Sequence, residues 1–204
     1  MQKDIEIEIR GPLSTEKYAE LKSFLDAHGE KKSVKDRVLI DYSTFLPGDM
    51  ADRKKDIRLR VTNGIPEIIV KLGSWGENEQ RRELSIITQT GTFDTLTEIF
   101  AALGYEKGML CVRKTDVYDY KGIEFALVEV PDHSYYYEAE KMAHSGEDAD
   151  VLAKEITGVC NELGLQVFNK DEFFAYIETL NKEANEIFDA ATAPLNYFKN
   201  KFGV

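Results

Sequence analysis

Charged side chains recur at alternate positions along apolar stretches of this chain. Residues 4–10 set Glu6, Glu8 and Arg10 against Ile5, Ile7 and Ile9, and Arg58 and Arg60 interleave with Ile57, Leu59 and Val61. Lys71 ends the run Ile68-Ile69-Val70, Arg81 and Glu83 alternate, Arg113 follows Leu110-Cys111-Val112, and Glu138 and Glu140 alternate after a tyrosine run. The acidic set is Glu6, Glu8, Glu138 and Glu140, with Glu129 as a further candidate, and it contains no histidine or cysteine. Hard oxygen donors of that kind suit Mg2+ or Mn2+ rather than zinc. The basic set is mostly arginine, whose planar fork matches phosphate oxygens two at a time. Carboxylates for a divalent ion together with several arginines are what polyphosphate binding requires.

Taken alone, the alternation at 4–10 fits an ordinary strand with its charged face in water. Its recurrence argues otherwise. In most of these strands the opposite face is apolar and can pack beneath helices. A sheet rolled with that face outward must hold its charges inside, where mixed signs can pair and so reduce the penalty of burial.

The elements that would position these residues read as follows. Strands are expected at about 4–10, 35–43, 56–62, 66–72, 80–88, 109–119, 122–130 and 135–142 by alternation and turn punctuation. Gly11-Pro12 is read as stopping the first strand, and Asn63-Gly64 and Lys121-Gly122 as hairpin turns. Helices are expected at about 15–27 behind an Ser14 cap, at about 92–103, from about 148 to Gly164, and at about 170–190, with Pro194 breaking the last segment. The expected fold is α+β, mainly β: an eight-stranded antiparallel closed β-barrel with surrounding and C-terminal helices, since closure removes sheet edges. A single domain of 204 residues is expected, its barrel at about 1–142 and its C-terminal helices at about 148–204.

Bulk properties narrow the partners. The net charge of −11 disfavours nucleic acid and anionic membranes, so positive charge for an anionic ligand must be local. Two cysteines make no disulfide framework, and no apolar run approaches membrane-spanning length. The expectation is a cytoplasmic protein with a small-molecule triphosphate as its partner, acting as a homodimer.

These motifs, in this order, resemble the CYTH or triphosphate tunnel metalloenzyme superfamily. Glu6-Ile7-Glu8-Ile9-Arg10 is similar to its ExExK signature, and Arg58-Leu59-Arg60, Lys71, Arg81/Glu83 and Glu138/Glu140 follow in the family's sequence. The resemblance covers roughly 4–142. It implies a tunnel in which Glu6, Glu8, Glu138 and Glu140 hold one or two divalent ions. Arg10, Arg58, Arg60, Lys71, Arg81 and Arg113 would grip phosphate, and Glu6, Glu8, Arg10 and Lys71 would take part in catalysis. Three positions depart from the family: Arg10 replaces lysine, Cys111 replaces the lysine of a Lys-x-Arg pair, and Val128 stands at the usual aspartate. Either Glu129 substitutes through a one-residue shift or that acid is missing. A metal-dependent triphosphatase is the leading expectation, with an adenylate cyclase and a non-catalytic binding module as alternatives.

The remaining candidates have structural readings. His28, His133 and His144 are read as loop or cap residues, Tyr135, Tyr136 and Tyr137 as packing groups, and Arg53-Lys54-Lys55 as a solvated run. Trp75 is read as an aromatic covering one opening.

Overall fold

The computed structural model describes residues 5–49, 52–73, 79–144 and 148–204, with the backbone alone for 5 and 79–81. Nine strands form one antiparallel sheet: β1 (Ile5–Leu13), β2 (Glu30–Asp41), β3 (Lys55–Thr62), β4 (Ile65–Leu72), β5 (Glu79–Ile87), β6 (Lys107–Tyr120), β7 (Ile123–Val130), β8 (Ser134–Ala143) and β9 (Glu186–Asp189). The helices are α1 (Thr15–His28), α2 (Phe93–Ala102), α3 (Ala149–Glu162), α4 (Lys170–Glu183) and α5 (Tyr197–Phe202), and a 3-10 turn spans Tyr42–Phe45.

The strand order is β2-β3-β4-β5-β1-β8-β7-β6-β9, and β6 also pairs with β2 from Glu30↔Asp119 to Asp41↔Met109. Hairpin turns at Asn63-Gly64 and Lys121-Gly122 carry positive φ at both residues, which the glycines adopt at no steric cost.

The apolar strand faces point outward beneath the helices. Ile7, Ile9, Phe125 and Leu127 pack with Leu21 and Leu25 of α1 and Ile156 of α3. Ile40, Leu59 and Val61 pack with Phe93 of α2 and Phe198 of α5. Burying aliphatic and aromatic side chains there leaves the alternate, charged positions facing the sheet's other side.

Three expectations about elements are corrected. β1 does not stop at Gly11-Pro12 but continues to Leu13, with Gly11 opposite Tyr137 and Pro12 opposite Tyr136. Glycine is needed there because a Cβ on Gly11 would lie 1.8 Å from the Gln166 carbonyl oxygen. β2 begins at Glu30, well before 35. The C-terminal helix expected at about 170–190 ends at Glu183, and Glu186–Asp189 is a ninth strand on β6. β7 pairs with β6 only from Lys114 to Tyr120, leaving the edge at Lys107–Leu110 to be satisfied by β9, whose Phe188 packs into the α2–α5 core.

Candidate functional site

Residues of all eight long strands line a cavity of about 370 Å3, and α4 contributes to one side of it. The acids come from neighbouring strands. Glu6 and Glu8 stand on β1, Glu138 and Glu140 on β8, and Glu124 on β7. Glu140 is the cross-strand partner of both Glu8 and Glu124, so three carboxylates share one row. Like charges directly opposite are destabilising unless a cation lies among them. Carboxylate oxygens of Glu6, Glu8 and Glu140 come within 4.8 Å of one another.

Two cations already touch this wall. Lys71 Nζ donates to Glu6 Oε1 at 3.0 Å and lies 3.3 Å from Glu83. Arg10 Nε donates to Glu8 Oε1 at 3.0 Å, while its guanidinium sits 4.4 Å from the centre of the Phe173 ring of α4. Among the described residues, no side chain donates a hydrogen bond to Glu138 or Glu140. Burial, reinforced by Glu8, pushes the Glu138 carboxyl up to about 7. Burial and the surrounding Glu6, Glu8, Glu124 and Glu138 push Glu140 up to about 8. Glu6 is raised as well, chiefly by burial, with Lys71 opposing. Converging hard oxygens held above their ordinary range fit a hard divalent cation, which would restore the ionised form.

The bases stand on β6, β2, β3 and β4. Arg37 of β2 is the cross-strand partner of Arg113 of β6, and Arg58 and Arg60 follow on β3. Arg58 Nη2 donates to Asp56 Oδ2 at 2.7 Å, and Arg60 Nη2 donates to Glu67 Oε2 at 2.6 Å. Arg113 Nη2 donates to Asn185 Oδ1 at 2.9 Å. Arg37 has its Nε buried without a hydrogen-bond partner, and desolvation, then Arg60, lowers its pKa. A buried guanidinium with an unmet donor beside another guanidinium is a site for an anion.

The cavity therefore gathers Glu6, Glu8, Arg10, Arg58, Arg60, Lys71, Arg113, Glu138 and Glu140. Glu138 lies across from Arg10 and outside the converging trio. Arg81 is placed by its backbone opposite Glu6, and its side chain falls outside the described residues, as does all of Trp75. Glu129 is the correction. β7 runs without a slip, so Glu124, Ala126 and Val128 face the cavity and Glu129 faces away, toward Tyr18. The usual aspartate position is thus apolar.

Several residues escaped the sequence reading. Glu124 alternates with apolar neighbours in Ile123–Phe125, so its signal was present, whereas Asp36 between Lys35 and Arg37, and Leu39 on their face, break the alternation there. Nothing local marked Asn185 or Tyr176. Tyr136 lines the cavity, Tyr135 stacks on Tyr18, and Tyr137 is buried in the core. Arg53 is no solvated residue: it reaches Asp41 at 3.4 Å and Asp56 at 3.6 Å with its side chain largely buried. His133 contacts Ser134 Oγ at 2.7 Å and Glu183 at 3.2 Å, and Ser134 contacts the Tyr176 hydroxyl at 2.9 Å, tying the β7–β8 turn to α4.

No protein-family model and no curated protein sequence matches this chain. Solved structures do. The PH1819 protein of Pyrococcus horikoshii has a TM-score of 0.69 at 19% identity over 85% of this chain and 98% of its own. A protein of Vibrio parahaemolyticus named "putative adenylate cyclase" has 0.58 at 12% identity, over 84% and 93%. A chain of the Schizosaccharomyces pombe Mediator head module has 0.58 at 13%, over 81% and 98%. Likeness at these identities shows a shared fold. Chemistry must come from this chain's own residues.

Proposed function

We propose that this chain is a divalent-metal-dependent triphosphatase of the CYTH type, taking a small-molecule triphosphate into its charged cavity. The observation that carries the reading is the segregation of charge. Glu6, Glu8 and Glu140 converge on one wall, while Arg37, Arg58, Arg60 and Arg113 stand on the strands that complete the circuit. The pairing of β6 with β2 supports an eight-stranded tunnel closed on itself, with β9 appended. Because α4 lines the cavity and β9 extends its sheet, the barrel and C-terminal segment are read as one domain. Among the described residues no helix is long and apolar enough to cross a membrane, in keeping with a cytoplasmic role.

The arginines would hold the phosphate oxygens and stabilise charge as it builds on the departing phosphate, an effect of about 10²–10³ in rate per preorganised donor. Lys71, between Glu6 and Glu83, stands where acidic and basic walls meet and can contact both carboxylate and phosphate. Mg2+ or Mn2+ held by Glu6, Glu8 and Glu140 would supply charge neutralisation. Glu138, across from Arg10 and with its carboxyl pushed up to about 7, is suited in its ionised form to accept the proton of the attacking water. A binding-only reading has one observation in its favour, the apolar Val128 on the cavity wall.

The test is phosphate release from tripolyphosphate, ATP and thiamine triphosphate with Mg2+ or Mn2+. Turnover of at least one is expected, with Glu8→Gln lowering kcat at least about a hundredfold. No release from any of the three rejects the hydrolase. Binding without release favours the binding module, and cyclic AMP from ATP favours the cyclase.

A further inference from the structure

We propose that Asn185 is a positioning residue for Arg113, and that β9 sets its place. The inference deepens the reading of the cavity as a polyphosphate site and rests on it. Arg37 and Arg113 are cross-strand partners on β2 and β6, so two arginines rise from adjoining positions on the cavity face. Repulsion between them would swing a mobile arginine away from any position where both could grip one anion. Arg113 is held from two directions: Nη1 donates to the Val112 carbonyl at 2.7 Å and Nη2 to Asn185 Oδ1 at 2.9 Å.

Asn185 is itself fixed. Its Nδ2 donates to Asn181 Oδ1 at 2.8 Å, which leaves its oxygen turned to Arg113. Its backbone N–H bonds the Leu180 carbonyl at 2.8 Å, closing the end of α4. The next residue, Glu186, begins β9 and is the partner of Leu110, on the same strand that carries Arg113. The register of β9 on β6 therefore locks Asn185 beside Arg113. A neutral amide suits this task because it accepts the guanidinium hydrogen bond without cancelling the charge that an anion needs. A carboxylate there would offset part of the charge that Arg113 presents to an anion.

The experiment is calorimetric titration of tripolyphosphate with Mg2+ into wild type, Asn185→Ala, Arg113→Ala and the double variant, with thermal melts of each. Asn185→Ala is expected to weaken binding roughly tenfold, and to have no further effect once Arg113 is alanine. Asn185→Asp should melt near the wild-type temperature yet bind more weakly, because its negative charge offsets that of Arg113 and repels the anion. A merely structural role predicts the reverse: additive losses in the double variant and restored binding in Asn185→Asp. Either result, or wild-type binding by Asn185→Ala, overturns the assignment while leaving the triphosphate reading intact. A wild-type protein that binds no tripolyphosphate overturns both.

Discussion

Arg37 is the side chain whose burial makes least sense as a stabilising feature. Its Nε has no partner, Arg60 repels it, and Arg113 is its cross-strand neighbour. An unsatisfied buried donor costs about 1–3 kcal/mol. Arg37→Met keeps the length and apolar stem while removing that cost. The variant is expected to raise the stability of the ligand-free protein by about 1–3 kcal/mol in urea denaturation, while weakening tripolyphosphate binding at least about tenfold. A less stable variant with unchanged binding would mean that Arg37 is a structural residue. Arg37 was not marked by alternation, since Asp36 precedes it on the opposite face and Leu39 follows on its own. Its unmet donor was hidden as well, because such a donor is a property of neighbours from β3, β6 and β8.

At the scale of elements, the junction of β2, β6 and β9 holds the basic wall in place. Gly108 sits there opposite Phe188, and a Cβ at that position would lie 2.2 Å from Ile40 Cγ2 and 3.2 Å from Tyr42 Cδ1. Ile40 is fully buried and β-branched, so it has little freedom to move aside. Gly108→Ala is expected to destabilise the protein by about 1–3 kcal/mol through overpacking, read as a lower urea midpoint. An unchanged midpoint would show that this junction is looser than its contacts imply. β9 itself was hidden in the sequence: Glu186-Ile187-Phe188-Asp189 is four residues long and directly continues an amphipathic helix. Only the unpaired edge of β6, far away in sequence, makes those residues extended. β1 past Gly11-Pro12 was hidden for a similar reason, since the segment at Gln166 demands a glycine inside a strand.

For the whole molecule, the acidic cavity makes stability depend on pH and on metal. Glu138 at about 7 and Glu140 at about 8 both lie above the ordinary 4.5 in the folded, metal-free protein. Between about 4.5 and about 8 the folded state thus binds more protons than the unfolded one. The contribution of these groups is full below about 4.5 and is lost as pH rises through about 8. Metal-free protein is therefore expected to weaken steadily from pH 5.5 to pH 8.5, and Mg2+ to raise the melting temperature more at pH 8.5 than at pH 5.5. Melts at the two values with Mg2+ and with a chelator decide this. A metal-free protein that gains stability over that range would contradict the proposed cavity. The net charge of −11 is no obstacle to an anionic ligand, because the arginines are gathered on one wall rather than spread over the surface.

Alternation in the amino-acid chain located most of the eight long strands and the face that their charges occupy. Alternation is local: a regular strand turns every second side chain the same way, so Glu6, Glu8, Arg58, Arg60, Glu138 and Glu140 were assigned before any fold was known. The tertiary structure alone decided which of those charges meet. Glu6, Glu8 and Glu140 converge because β1 and β8 pair in one particular register, whereas Glu138, two residues away, faces Arg10. The unslipped pairing of β7 excluded Glu129 and brought in Glu124, while the pairings of β2 and β9 with β6 brought in Arg37 and Asn185. Side-chain direction follows from neighbouring residues along a strand. Proximity across strands depends on pairings that span the whole chain, and the local pattern carries no record of them.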